Sequence, residues 1–589
     1  MTDGDYCILL ELDNHKTNAS ILKELKRPIQ IIDTKKKYLP ILSGSEEWPV
    51  VQMANDRKNF IDEVINESFK RLKELRPGEN ELIEELEKTR YRENMRCKTN
   101  PWKVDPEDDL DFWNSVKSRL VAIENRSPKA RREGAEAILF EIVVRYANEI
   151  AGNFKPSHHK MARVVVTFGF SRLLNAAKIK KFGAILRKEY TLQDKIQIIG
   201  HTELLRKLAK IGTIVMVPTH FSNLDSILIG WVINTLGLPP FIYGAGLNLF
   251  NMSLFAYFMN SLGAYKVDRR KKNLTYLQTL RTYSNIAVRN GSHSLFFPGG
   301  TRSRSGKLES TLKLGLLGTA IEAQRVNYKM EATGRRSKIF IVPLVINYNF
   351  VLEAPSLIRN YLRIKGQERY YLEKDQYDSS TKIMKFLFEF FTKGSNISVS
   401  IGRGMDLFGN YVNEEGESLD KKGNYINTRD YFTNHGIITE DHQREEEYTR
   451  MLAKVIVREF HMINRVFASH LVAFTAFRMM RKMHDQLDFY SFFRIPVKEV
   501  EIPYEEFRET FDRVRDGVID LFNEGKVDMA THLTVDLDEV IDIGLKNVGM
   551  FHNYRPLLKN KQGNIITQDL NNLYYYHNRM DGYELEKYI

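Results

Sequence analysis

Thr213-Ile-Val-Met-Val-Pro-Thr-His220-Phe-Ser-Asn-Leu-Asp225-Ser-Ile-Leu-Ile229 decides the fold class. It holds an apolar, β-branched run, then a polar turn, then an apolar helical pattern. A strand that is apolar at nearly every position is buried on both faces, as strands of largely parallel sheets are. Similar short runs occur at Lys195–Ile199, Phe241–Tyr243, Ser294–Phe297, Ile339–Ile346 and Ile397–Ile401. Helical patterns lie between them, such as Leu274–Val288, closed by Gly291, and Thr311–Gln324. This alternation predicts an α/β domain over residues 191–405 with a mixed, mostly buried sheet.

Helical regions are expected on both sides. Residues 1–190 read as mainly helical and heavily charged, with amphipathic patterns over Asp56–Arg90 and Gly134–Ala151, punctuated by Pro77-Gly78 and Pro101. Phe60, Val64, Ile65, Phe69 and Leu72 trace one face at three- and four-residue spacing. No catalytic constellation is visible there, so the region reads as a support or regulatory unit. Residues 406–589 open with a polar, Gly/Asn-rich excursion at Gly409–Asn427. They then turn helical over Glu445–Met483 and Tyr504–Glu524.

The chain has 589 residues, 43% hydrophobic and 28% charged, which excludes disorder over the whole length. Its two cysteines, Cys7 and Cys97, exclude a disulfide scaffold and a cysteine-rich metal site, and no other metal-ligand cluster is expected. The net charge of +12 favours an anionic partner: nucleic acid, a phospholipid surface or a phosphorylated small molecule. The acidic opening carries no basic, apolar leader, so no secretory signal is expected. No uninterrupted apolar window reaches the length of a membrane span. Ser226–Tyr265, however, lacks any charged residue. With Pro239-Pro240 and several asparagines inside it, this stretch reads as two buried or interfacial helices around a short strand.

Of the 14 histidines, His220 alone has an aspartate five positions on. Five residues of continuous helix would turn through about 500° and separate the two. With His220 on the loop and Asp225 in the first helical turn, the chain can bring them together, and Ser222 or Asn223 is expected to cap the helix. A carboxylate on one imidazole nitrogen sets the tautomer and makes the other nitrogen a general base. The pair taken alone fits equally well a core histidine and a carboxylate placed on the helix dipole.

Two basic loops follow. Gly263-Ala-Tyr-Lys-Val-Asp-Arg269-Arg-Lys-Lys272 places Arg269 after a strand end. Phe296-Phe-Pro-Gly-Gly-Thr-Arg302-Ser-Arg304-Ser-Gly-Lys307 surrounds two arginines with small residues. Such a loop can offer backbone N–H groups and guanidinium forks to a phosphate.

Order and spacing together resemble a known family. A His-x4-Asp, a Gly-x3-Val-x-Arg, a Phe-Pro-x-Gly-Thr-Arg-Ser-Arg and an apolar strand holding Val342-Pro343 are similar to the four blocks of the glycerolipid acyltransferases, over about Lys195–Gly404. Ile463-Asn464 with Leu471-Val472-Ala473, and Tyr575-Tyr576-His577-Asn578-Arg579, resemble C-terminal features of the larger glycerol-3-phosphate acyltransferase branch. Both also fit ordinary core packing and an aromatic surface patch. In one place the chain departs from the pattern: the third block normally reads Phe-Pro-Glu-Gly-Thr-Arg, and Gly299 stands at the glutamate position.

The resemblance implies direct acyl transfer from a thioester, acyl-CoA or acyl-carrier protein, to the hydroxyl of glycerol 3-phosphate in phospholipid synthesis, with no other cofactor. Lysophosphatidate is the alternative acceptor. His220 and Asp225 would be catalytic. Arg269 and Arg302 would hold the acceptor phosphate, with Arg304, Lys307, Gly300 and Thr301 contributing. The charge-free stretch would form the acyl trench. A peripheral or monotopic position on the cytoplasmic face of a phospholipid membrane is expected, with Phe467–Met483 either lying on that surface or packed in the core. The alternatives from other classes are a non-catalytic phospholipid-binding protein with a decayed domain and a nucleic-acid binder. The intact His220, Asp225, Arg269 and Arg302 oppose the first, and the dispersed basic residues oppose the second.

Overall fold

Seven strands make one sheet in the order β1-β7-β6-β2-β5-β3-β4. They are β1 (Ile196–Gly200), β2 (Thr213–Pro218), β3 (Ile242–Gly246), β4 (Ala264–Val267), β5 (Ser294–Leu295), β6 (Ile339–Tyr348) and β7 (Ile397–Ile401). The protein is described here by a computed structural model covering residues 38–161, 196–247, 263–365 and 397–589. Cys7, residues 162–190 of the N-terminal region and residues 248–262 of the charge-free stretch lie outside the described residues.

From β6 to β4 the strands run parallel; β7 runs antiparallel to β6, and β1 runs parallel to β7. The sheet is therefore mixed, with five strands in one direction. All ten residues of β6 and all six of β2 are buried, as uninterrupted apolar runs covered on both faces require. In such sheets ligands bind beyond the carboxyl ends of the strands. The loops that leave β2, β4, β5 and β6 all emerge at that edge.

A single hydrophobic core extends from the sheet into the C-terminal helices His442–Met462, Ala468–Met483, Tyr504–Asn523, Leu537–Asn547 and Leu570–His577. Ala468–Met483 is buried along most of its length, which makes it a core helix and rules out the lipid-surface alternative for this segment. The Gly409–Asn427 excursion folds as a small hairpin, Ser418–Leu419 against Tyr425–Ile426.

A second core joins four N-terminal helices, Arg57–Leu75, Glu79–Thr99, Asp109–Glu124 and Pro128–Ile150, to the other end of the sheet. Pro77-Gly78 separates the first two helices. Their apolar stripes close over Tyr276, Leu280, Tyr283 and Ile286 of helix Leu274–Arg289 and over Tyr265 of β4. Within the charge-free stretch the structure shows helix Asp225–Thr235, then β3, then the start of β4. No helix among the described residues is long and apolar enough to cross a membrane.

Candidate active site

β2 ends at Pro218, and two residues later His220 stands on the loop at the carboxyl edge of the sheet. Asp225 is the first residue of the next helix. Its carboxylate turns back so that Oδ2 meets His220 Nδ1 at 2.8 Å and accepts the N–H groups of Phe221 at 2.6 Å and Ser222 at 2.9 Å. The hydroxyl of Tyr348, at the end of β6, donates to Asp225 Oδ1 at 2.5 Å. An acceptor-only carboxylate requires the proton on Nδ1, which leaves Nε2 with its lone pair. Nε2 has no hydrogen-bond partner among the described residues. Phe297 stacks on the ring, with centroids 4.1 Å apart.

The helix cap differs from the expected one. Leu224 is the N-cap, without a side-chain bond, and neither Ser222 nor Asn223 takes that role. Ser222 Oγ instead donates to Glu353 Oε2 at 3.1 Å, and the Asn223 N–H donates to Glu353 Oε1 at 3.0 Å. Glu353 is buried just beyond β6, and Arg302 Nη1 donates to its Oε1 at 3.3 Å. One carboxylate thus links the loop after β2 to the loop after β5.

The link is reinforced through the backbone. The Ser303 N–H donates to the His220 carbonyl at 2.7 Å, and the His220 N–H donates to Glu309 Oε1 at 3.0 Å. The Gly300 N–H is likewise taken within its own turn, by the Phe297 carbonyl at 3.0 Å. The expected array of open backbone donors is therefore reduced, because Gly300 and Ser303 use theirs internally. Thr301 and Arg304 are exposed. Lys307 points to the C-terminal region, where it pairs with Asp581 at 2.6 Å.

In the run Arg269–Lys272, adjacent residues have different partners. Arg270 pairs with Asp105 and Asp268 and lies 3.9 Å from the centre of the Trp102 ring. Lys271 pairs with Glu149 of the N-terminal bundle. Arg269 has no hydrogen bond or ion pair among the described residues. Partial burial and the like charge of Arg302 hold its guanidinium below the ordinary arginine value. Two guanidiniums within electrostatic reach of each other, one lacking a counter-ion, form a site suited to an anion.

The C-terminal region underlies the same edge. Buried Arg579 donates to the carbonyl of Ile346 and to Asn347 Oδ1, each at 2.6 Å, and lies 3.9 Å from the centre of the Phe221 ring. Asn578 Nδ2 donates to the Ser305 carbonyl at 2.8 Å. Gly306, with φ of +85°, lets the carbonyl of Tyr575 approach so closely that a Cβ there would collide with it. Tyr575 and Tyr576 are buried against the site, so they form no surface patch.

Tyr348, Glu353 and Glu309 do not stand out in the sequence. The signal available for the first two is position: polar groups at the end of a fully buried strand, or a few residues beyond it, lie at the edge where ligands bind. A cavity of about 250 Å³ lies behind helix Asp225–Thr235, lined by Ser226, Ile233, Phe241, Tyr243 and Leu295 among others. Ser226 adjoins Asp225, and Leu295 is two residues before Phe297. Among the described residues, no group of three or more His, Cys, Asp or Glu is placed to hold a metal ion.

Residues 198–347 match the acyltransferase family model. The chain is similar to a glycerol-3-phosphate acyltransferase of Pseudomonas aeruginosa, 26% identical over 245 residues, which is 41% of this chain and 25% of that protein. It is similar also to one of Alteromonas mediterranea, 28% identical over 253 residues, 43% of this chain and 26% of the relative. The chain thus spans about a quarter of the length of the curated relatives it matches.

Proposed function

We propose that residues 198–347, which match the acyltransferase family model, work as an acyltransferase domain of the glycerolipid superfamily, and that the protein moves a fatty acyl group from a thioester, acyl-CoA or acyl-carrier protein, to the hydroxyl of glycerol 3-phosphate. The observation that carries this reading is the unpartnered Nε2 of a carboxylate-held His220, on a loop bonded directly to the loop of Arg302. Arg269 stands within electrostatic reach of that loop.

In this reading His220 Nε2 takes the proton of the acceptor hydroxyl as its oxygen bonds to the thioester carbonyl carbon. The tetrahedral adduct then collapses and the C–S bond breaks. The sulfur leaves as a thiol with the proton that His220 returns, and no acyl-enzyme forms. Asp225 keeps the imidazole in one tautomer and faces the imidazolium that develops, while Tyr348 and the two backbone donors hold the carboxylate in place. Arg269 and Arg302 hold the acceptor phosphate. The cavity beside Ser226, walled in part by the charge-free stretch, takes the acyl chain. The surplus of basic residues favours work at an anionic lipid surface, at about 1 kcal/mol per residue near it.

The deciding experiment offers a labelled thioester to the purified protein with glycerol 3-phosphate, dihydroxyacetone phosphate and lysophosphatidate in parallel. His220→Ala should lower turnover at least about 10²-fold while leaving the fold intact. Wild-type rates in that variant would rule out His220 as the base. Arg302→Ala should raise the acceptor KM about ten- to a hundredfold and leave the donor KM nearly unchanged. Arg302→Lys should recover only part of this loss, because an ammonium keeps the charge but not the fork.

A further inference from the structure

His220 is held through its backbone as well as its ring. Its carbonyl accepts the Ser303 N–H at 2.7 Å, and its N–H donates to Glu309 Oε1 at 3.0 Å. Both partners belong to the loop that carries Arg302. The Glu309 side chain reaches His220 by crossing the open face of Gly299. A Cβ at position 299 would lie 2.9 Å from Glu309 Cγ and 3.1 Å from Oε1, too close for both side chains to keep their places. Gly299 therefore leaves room for a carboxylate that arrives from ten residues further along.

The other oxygen, Oε2, is sealed from solvent and has no hydrogen-bond partner among the described residues. Burial pushes the carboxyl up to about 7, with the charges of Arg579 and Asp225 opposing one another around it. A carboxylate largely withdrawn from water, with one oxygen left unbonded, is costly, and a neutral acceptor would satisfy the same N–H with a smaller desolvation cost. The feature that accounts for its place is the residue it holds.

We infer that Glu309 is a positioning residue for acyl transfer: its side chain occupies the space above Gly299 and fixes the backbone of His220, and with it the direction of Nε2. The inference rests on the acyl-transfer reading of the site. From the would-be Cβ of residue 299 to Glu309 Oε1, and from there to the His220 nitrogen, are two steps of about 3 Å, 3.1 and 3.0. A glutamate at position 299 has the reach to supply the same acceptor, provided residue 309 is cut back.

The test is a set of four proteins, Glu309→Ala, Glu309→Gln, Gly299→Glu and the double variant Gly299→Glu/Glu309→Ala. Each is assayed for kcat, acceptor KM and exchange of the backbone amide in the peptide carrying His220. Glu309→Ala should lose about ten- to a hundredfold in kcat, the scale of a misaligned base, with little change in acceptor KM. Glu309→Gln keeps an oxygen acceptor and should stay within about threefold of wild type. Gly299→Glu alone should be impaired, and the double variant should recover most of the activity that Glu309→Ala loses. Wild-type kcat in Glu309→Ala, or a folded double variant no better than either single one, overturns the inference. The exchange measurement needs no turnover: protection of the His220 amide should fall in Glu309→Ala and persist in Glu309→Gln. Unchanged protection in Glu309→Ala also overturns it. An inactive wild type with all three acceptors would instead defeat the acyl-transfer reading, leaving the exchange result to decide whether Glu309 holds the loop.

Discussion

The N-terminal bundle and the C-terminal region both embrace the sheet, by different physical means. The bundle grips the β4 end through charge as well as through its own core. Arg270 goes to Asp105, Lys271 to Glu149, and Arg289 to Glu63 and Glu67, while Asn273 caps helix Leu274–Arg289 and donates to Glu93 and Tyr146. The C-terminal region shares the core of the sheet and reaches the site through buried polar contacts. These include Arg579 on the end of β6, Asn578 on the Ser305 carbonyl, and Ser469 on Asn349 at 2.7 Å. Orientation of the Arg269 loop thus depends on ion pairs at a boundary. Orientation of the His220 loop depends on a continuous interior, where close packing leaves little freedom to relax.

The largest effect should come from breaking the interior grip. Arg579→Ala empties a buried site and strands the Ile346 carbonyl and Asn347, so it should cost about 3–5 kcal/mol of stability. Kinetics would then fail on both sides of the reaction. Thermal unfolding of the full chain checks this, and a variant that melts like wild type would remove Arg579 from the core.

The Glu309 carboxyl meets the charge of Arg579 from within that interior. A carboxyl raised from 4.5 to about 7 binds its proton more tightly in the folded state. Its penalty is absent below the unfolded value, grows as pH rises toward 7 and is complete above it. Glu309→Gln should therefore melt close to wild type near pH 4.5 and be more stable by about 3 kcal/mol at pH 8. Equal melting temperatures at both pH values would show that the carboxyl carries no such burden.

Weakening the charged grip should do least. Asp105→Asn weakens a nearly buried cluster in which Arg96 and Arg270 keep their other carboxylates, so it should cost about 2 kcal/mol and raise the acceptor KM a few fold through the loosened Arg269 loop. Because these side chains are nearly buried, most of that difference should persist in about 1 M salt. If Asp105→Asn matches wild type in both quantities at low salt, the ion pairs are not what sets the Arg269 loop.

Much of this organisation can be read along the chain, because it is local. Buried strands show as uninterrupted apolar runs, and the face Phe60, Val64, Ile65, Leu72 shows as a helical period. The His220–Asp225 contact follows from five residues of turn and first helical turn. A run of four basic residues, by contrast, does not say which one faces a cleft. Arg270 and Lys271 go to the bundle and Arg269 does not, because Asp105, on the loop between two bundle helices, and Glu149, on helix Pro128–Ile150, come from over a hundred residues away.

Local pattern along the chain accounts for most of the strands and helices, for their burial and for the nearness of His220 to Asp225, since each depends on neighbours within about one turn of chain. The tertiary structure alone decided that β7 enters between β1 and β6 in the opposite sense to β6. It also decided that Glu353 joins two loops, that Glu309 lies over Gly299 and that Arg579 sits beneath Phe221. Those contacts are made by side chains meeting across the edge of the sheet, and their partners are set by strand order and loop path, which no spacing along the chain encodes.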